Sequence, residues 1–433
     1  MDSAAVPPLK VRNILHIFVS TKLNYNIMSK KLDYKWTVLI LVSIAYFLAQ
    51  GTRSIYSVVP IPIAEEFGVS KTELGLVSSV FTWVFGMVMP FAGLIADLFS
   101  RKVVLVIGSF LFAVGIFVSG FASGLGMLMI SYGVINSVGQ SLMPPCNTSL
   151  ISQYHDKTRG TAFSIYQTAI YLGIVVCSLG GVLIASHGGW RYAFLIFGAI
   201  AIIWAVVILI TLKDKPQSRG SERISFSAVG EAFKAFAKKP SSFLLMGGLG
   251  CYFFVTYAFK MWGPSYMQGK FPELTNMEAT FHSLCWFYLG AFIGVTLGGR
   301  ISDALKSRRP GIRFEVEIVG LTLCIPFVLM LAYSQSLVLI IISLFLFGFA
   351  TGVYDSNIYA ALFDVIDPRY RAVATGLFGC GGCIIGALGP LVQGYLTDSF
   401  SPSFAMAALT IFAVLGVFIL LYARVFRFNK DKI

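Results

Sequence analysis

The 433-residue chain reads as an all-α membrane protein of twelve transmembrane helices in two six-helix bundles, and three observations predict this. Apolar residues make up 57% of the chain and charged residues 12%, with a mean hydropathy of +0.79, a balance foreign to water-soluble globules. Apolar runs of the length that crosses a bilayer, about 20 residues, recur from end to end. A pattern around residue 97 returns around residue 303, which divides the chain into related halves.

The elements follow in order. The first run, 36–60, follows the basic residues Lys30, Lys31 and Lys35. The second, 74–96, closes on Gly93-Leu94-Ile95-Ala96-Asp97 before Arg101-Lys102. The third and fourth are 103–122 and 125–151. Arg159-Gly160 opens the fifth, 160–186, and Gly189-Trp190-Arg191 precedes the sixth, 190–212. A basic stretch with Pro216, Ser218, Arg219, Gly220, Ser221 and Pro240 separates the halves as a linker. The seventh and eighth runs are 242–266 and 277–303, the latter closing on Gly299-Arg300-Ile301-Ser302-Asp303 before Arg308-Arg309, 206 residues after the first copy. The ninth, 314–333, and tenth, 336–364, lead to an eleventh, 370–398, opened by Arg371-Ala372, and a twelfth, 401–424. Ten-residue segments of alternating polarity are absent, so helices rather than a barrel are expected to satisfy the backbone in lipid.

Domain bounds follow: a basic N-terminal extension 1–35, a bundle 36–212, a linker 213–240, a second bundle 241–424 and a tail 425–433. Lys and Arg gather in one set of loops, including Lys102, Lys157, Lys213, Lys239, Arg309 and Arg371. By the positive-inside rule both termini are cytoplasmic. The formal charge of +13 is then an inner-leaflet signature, and no nucleic-acid partner is needed. Short loops and a compact tail favour a cell inner (plasma) membrane. The extension shows no cleaved signal, and Met28 is an alternative start ahead of which the chain would be disordered.

Seven cysteines scattered through the runs form no disulfide framework, and Cys380-x-x-Cys383 lacks a redox or zinc context. No metal site and no cofactor are expected. Neither H-E-x-x-H nor an intramembrane Ser/His/Asp set is present, so an enzyme is disfavoured.

Charges inside apolar runs are the sharpest functional signal, because a bare cation at bilayer depth costs about 2.5–3.5 kcal/mol even on insertion scales. Arg53 and Lys260 occupy nearly matching places in the two halves. Arg53 offers a planar fork for a carboxylate or phosphate and Lys260 a flexible point charge; the alternative is pairing with Glu65 or Glu66, or snorkelling to the interface. Asp355 reads as the one acid well inside a run, either a proton-coupling group or a structural acid. Asn136, Gln140, Tyr166, Gln167, Tyr171, Trp262 and Asn357 could read hydroxyls or form flat walls, and helix-to-helix bonding explains each equally well.

The loop pattern Gly93, Asp97, Arg101, Lys102 resembles the G-x-x-x-D-R-x-G-R-K motif of the major facilitator superfamily, with Leu98 and Ser100 departing from it. The resemblance covers residues 36–424. It implies the major facilitator fold and a gating role at the cytoplasmic ends for Asp97 and Arg101, and by duplication for Asp303 and Arg308. Arg53 through Pro60 to Glu65-Glu66-Phe67-Gly68-Val69-Ser70, with Gly189-Trp190-Arg191-Tyr192-Ala193-Phe194, is similar to the anion:cation symporters of hexuronate, galactonate and sialic-acid type. Organophosphate antiporters, which hold their anion between basic residues of the first and seventh spans, are similar too. Thr52 and Gln140 stand where the symporters often carry Asp and Glu, so those proton sites do not transfer.

The resulting expectation is a monomeric secondary transporter moving a small organic anion (a sugar acid, sialic acid or other carboxylate) by alternating access. Symport with protons, or sodium in their place, is the expected coupling, with sugar-phosphate/phosphate antiport or a transporter-like sensor as alternatives.

Overall fold

A computed structural model describes residues 11–155, 158–213 and 226–432; Lys157, the linker residues 214–225 and the side chains of 11–33, Asp97, 226–229, Ala232, Arg369 and Ala372 lie outside the described set. Among the described residues, eleven helices are long and apolar enough to cross a membrane: Tyr34–Val58, Lys71–Ala96, Arg101–Ser119, Arg159–Gly188, Trp190–Thr211, Pro240–Lys270, Asn276–Leu305, Ile312–Tyr333, Leu337–Phe363, Val373–Ser399 and Pro402–Asp431. The remaining crossing, fourth in order, is made of three pieces: Leu125–Leu128, a π-helical Met129–Asn136, and Ser137–Tyr154. A π segment breaks the regular i→i−4 ladder and is common at functional sites. The twelve crossings are numbered here as spans in chain order, and the face from which the linker emerges is the linker face, the other the distal face.

Both halves begin their second helix alike. Ser70 caps Lys71–Leu98 and Thr275 caps Asn276–Leu305, each in a capping box with a Glu three residues on, Glu73 and Glu278. The box satisfies two backbone donors reciprocally, which defines where each helix starts. Two large apolar clusters form the bundle cores, one around Val42, Leu105 and Met143, the other around Leu249, Phe287 and Phe347. A third joins Ile55, Tyr56, Val59 and Leu74 to Met261 and Trp262 across the bundles.

In lipid, helices associate through close packing rather than through the hydrophobic effect. The eighth and tenth spans meet through facing Gly-x-x-x-Gly pairs: a Cβ on Gly290 or Gly294 would collide with the carbonyl oxygen of Phe345 or Phe349, and one on Gly348 or Gly352 with that of Phe287 or Ala291. Backbone cannot yield as a side-chain tip does. Gly348→Ala is therefore expected to destabilise the protein by at least the roughly 1–3 kcal/mol typical of overpacking, whereas Gly299→Ala, with open space around its Cβ, leaves stability nearly unchanged. Thermal unfolding of the two variants in one detergent checks this.

The first helix runs Val11–Val58 without a break, through the segment where disorder was expected ahead of Met28. Phe428 and Asp431 are buried. Asp431 Oδ2 accepts from Ser241 N at 2.9 Å, and Lys239 Nζ donates to the Asp431 carbonyl at 2.6 Å, so the tail caps the seventh span. At the distal face, Pro60–Phe67 folds as a short helix after the first span. Arg191 and Trp190 donate to Glu66, holding its carboxyl below the usual carboxylate range.

Candidate functional site

Polar residues of the first span fall on one stripe, Gln50, Arg53, Ser54 and Ser57, at the i, i+3, i+4, i+7 spacing of a single helix face. All four line a cavity of about 100 Å³ between the bundles. Tyr257, Lys260 and Met261 of the seventh span and Leu284 and Tyr288 of the eighth line it from the other half. Ser78, Tyr132 and Ile174 are also in its wall, and no carboxylate is.

Arg53 is held by aromatic faces. Its Cζ lies 4.5 Å from the Phe81 ring centre, 5.4 Å from Tyr257 and 5.9 Å from Phe85, and Nη2 donates to Thr82 Oγ1 at 3.4 Å. Such faces steady a guanidinium without neutralising it. Lys260 Nζ lies 6.0 Å from the rings of Tyr257 and Tyr288. Among the described residues neither cation has an ion-pair partner; Glu66 is taken by Arg191, and Glu65 is exposed on the short distal helix. The cavity thus has two cations and a ring of hydroxyls, a lining complementary to an anion.

Asp355 sits at a break in the tenth span, the last residue of Leu337–Asp355 before Ile358–Phe363. Tyr252 Oη donates to Asp355 Oδ1 at 2.7 Å, and Lys260 lies within electrostatic reach without a direct contact. A break of this kind frees helix-end groups inside the bundle, the arrangement from which transporters build ion sites.

The other candidates are set back from the cavity. Gln140 donates to the Ala49 carbonyl at 2.7 Å and to Asn136 Oδ1 at 3.0 Å, tying the fourth span to the first. Asn147 donates to Tyr166 Oη at 3.2 Å, and Tyr166 stacks on Tyr46. Gln167 is exposed beside Tyr171, whose ring centre is 5.8 Å from that of Tyr288, one layer behind the wall. Trp262 donates to the Pro390 carbonyl at 2.9 Å, and Asn357 donates to Ser356 Oγ. None of these lines the cavity in this conformation.

The gating candidates separate too. Asp303 and Arg308 are exposed and enter no ion pair among the described residues, and Arg101 is half-buried. The ion pairs at the linker face instead centre on Asp364, held by Lys306 and Arg313, and on Glu315, held by Arg424 and Arg309, all within the second bundle. Glu317, in the ninth span, is 1% exposed, so Asp355 is not the single deep carboxyl. In sequence it lies close to Arg308, Arg309 and Arg313, near the start of its span.

Comparison with known proteins agrees with this architecture. The Major Facilitator Superfamily profile matches residues 42–315 and 274–432. The chain is 25% identical over 408 residues to a probable sulfoacetate transporter of Cupriavidus necator, covering 90% of this chain and 93% of that protein. It is 24% identical over 406 residues to a D-galactonate transporter of Escherichia coli, covering 88% and 94%. A bacterial homologue of the human lysosomal transporter Spinster superposes with a TM-score of 0.82 at 21% identity, covering 92% of this chain and 98% of that one. Twelve helical crossings in two halves, together with a family match across nearly all of them, place the chain in the major facilitator superfamily, a family of membrane transporters.

Proposed function

We propose that this protein carries a small organic anion across a cell's inner membrane by alternating access, with the anion held between Arg53 and Lys260 and its movement coupled to a proton at Asp355. The observation that carries the reading is the convergence on one cavity of two cations from opposite bundles that, among the described residues, have no ion-pair partner and no carboxylate in the cavity wall. A bound anion supplies the missing charge and draws the two halves together. The named substrates of similar transporters, sulfoacetate and D-galactonate, are organic anions. A cavity of about 100 Å³ is well below the 300–1,000 Å³ usual for drug-sized ligands, which favours compact acids; a sugar acid requires the bundles to part. Uptake of labelled two- to six-carbon acids into proteoliposomes tests the assignment, and indifference to every organic anion would overturn it.

The distal ends are joined in this conformation. Thr72 N and Oγ1 donate to Asp398 Oδ2 at 2.9 and 2.8 Å at the distal end, and Trp83 Nε1 donates to the Ile384 carbonyl at 3.0 Å at mid-span, in both cases from the second span to the eleventh. In a carrier of this type these bonds must break when the distal side opens. Asp398→Ala is expected to shift the population toward distal-open states by a few-fold, read as longer distances between spin labels on the distal ends of the two bundles. An unchanged distribution counts against the latch.

A further inference from the structure

The ninth span carries a carboxyl that the transport site does not use. Glu317 is 1% exposed, and its Oε1 has no hydrogen-bond partner among the described residues. Arg313, one turn earlier on the same helix face, donates from Nη1 to Asp364 Oδ1 at 2.8 Å and to the Ala360 carbonyl at 3.3 Å, while its Nε is unpartnered. Lys306 bonds the other Asp364 oxygen. The tenth span presses on this face at backbone distance, since a Cβ on Gly320 would stand 2.7 Å from Tyr354 N.

Each neighbouring element contributes identifiable groups. The tenth span places Tyr354 and Asp364 within electrostatic reach of Glu317. The seventh supplies Tyr252, stacked on Tyr354 at 4.1 Å and bonded to Asp355. Glu315, on the same helix as Glu317, is engaged by Arg424 of the twelfth span and by Arg309. Around Asp364, then, two cations face one carboxylate. With Glu317 neutral the cluster keeps a surplus positive charge; with Glu317 ionised it balances. Burial without a partner and the neighbouring Asp364 carboxylate favour the neutral form while Arg313 is held by Asp364; Arg313 turned toward Glu317 would favour the ionised one. The position of Arg313 therefore decides the charge of the site. A proton fits it better than a metal ion, because among the described residues no three His, Cys, Asp or Glu side chains gather to ligate one.

We propose that Glu317 is a second proton-binding carboxyl, neutral in this conformation and ionised when Arg313 turns to it from Asp364. In that step the Glu317 O–H bond breaks, the proton leaves to water at the linker face, and Lys306 keeps hold of Asp364. The site lies apart from Arg53, so it does not depend on which anion is carried.

Infrared spectroscopy of the full chain in nanodiscs, with carboxyl-13C glutamate incorporated, tests this. At neutral pH a protonated-carboxyl band that moves with the label is expected in the wild-type protein and is lost in Glu317→Gln. Exposed glutamates are ionised there and do not contribute. Arg313→Gln should make the band persist about 1–3 pH units higher, because the competing cation is gone. Absence of a label-sensitive band in the wild-type chain overturns the neutral assignment, even if Glu317→Gln folds poorly. A midpoint unmoved by Arg313→Gln overturns the role given to Arg313. Neither readout depends on transport, so the failure of either is distinct from failure of the anion-carrier reading.

Discussion

Arg53→Ala is expected to abolish anion binding while leaving the fold intact, and Arg53→Lys to lose most of it despite keeping the charge. Removing one side of a buried charge pair costs about 2–5 kcal/mol, a fall in affinity of roughly thirty- to several-thousandfold. The geometry explains why lysine is a poor substitute. The guanidinium is packed over Phe81 and beside Tyr257 and bonds Thr82, so its orientation is set before an anion arrives. An ammonium has no planar fork to present and no flat face to stack. Stability should change little or rise, since an unpaired intramembrane cation is itself costly. Thermal-shift titration of purified wild-type and variant protein with a transported acid gives both quantities, because a ligand that binds only the native state raises apparent stability. Wild-type affinity in a folded Arg53→Ala protein rules out the site.

The two cations of this candidate site were legible in the sequence because charge inside an apolar run is rare, and rarity needs no knowledge of neighbours. Arg53 and Lys260 could be found from one dimension. The polar stripe Gln50, Arg53, Ser54, Ser57 was there to be read as well, since helical spacing alone puts it on one face. The amides were harder. Whether Gln140 reaches into a cavity or bonds the Ala49 carbonyl depends on where the first span lies, and nothing in the fourth span's own residues encodes that. Glu317 shows the same limit: its burial comes from the spans packed around it rather than from its own segment, whose basic neighbours argue for solvent.

The fold was legible for a related reason. Spans of about twenty apolar residues and a repeat 206 residues apart are properties of the chain itself, and the helices begin and end close to the expected bounds. The fourth span is the departure, because its π segment Met129–Asn136 replaces regular α-helix without ending the crossing, and the helix that follows, Ser137–Tyr154, is rich in polar residues. Close glycine packing between the eighth and tenth spans also went unread, since Gly-x-x-x-Gly is informative only once its partner helix is known.

Asp355→Asn is expected to abolish accumulation of the anion against its gradient while preserving counterflow exchange. Asp355 is bonded by Tyr252 and shares the field of Lys260; under the proposed coupling, a proton on its carboxyl would leave the Lys260 charge uncompensated for the incoming anion, and loss of that proton would return the counter-charge after release. Asparagine keeps a hydrogen-bond acceptor for Tyr252 but cannot carry the charge change. Exchange of one anion for another needs no net proton movement and should survive. Accumulation requires it and should fall to the equilibrium level. The competing outcome is phosphate-linked antiport, in which Arg53 and Lys260 hold successive anions and Asp355 only supports the break in the tenth span. Vesicles with an imposed pH gradient separate the two. Uptake that follows the gradient in wild type and ignores it in Asp355→Asn supports coupling at this carboxyl; uptake indifferent to the gradient in wild type, but driven by internal phosphate, replaces symport with antiport and moves the substrate class to sugar phosphates.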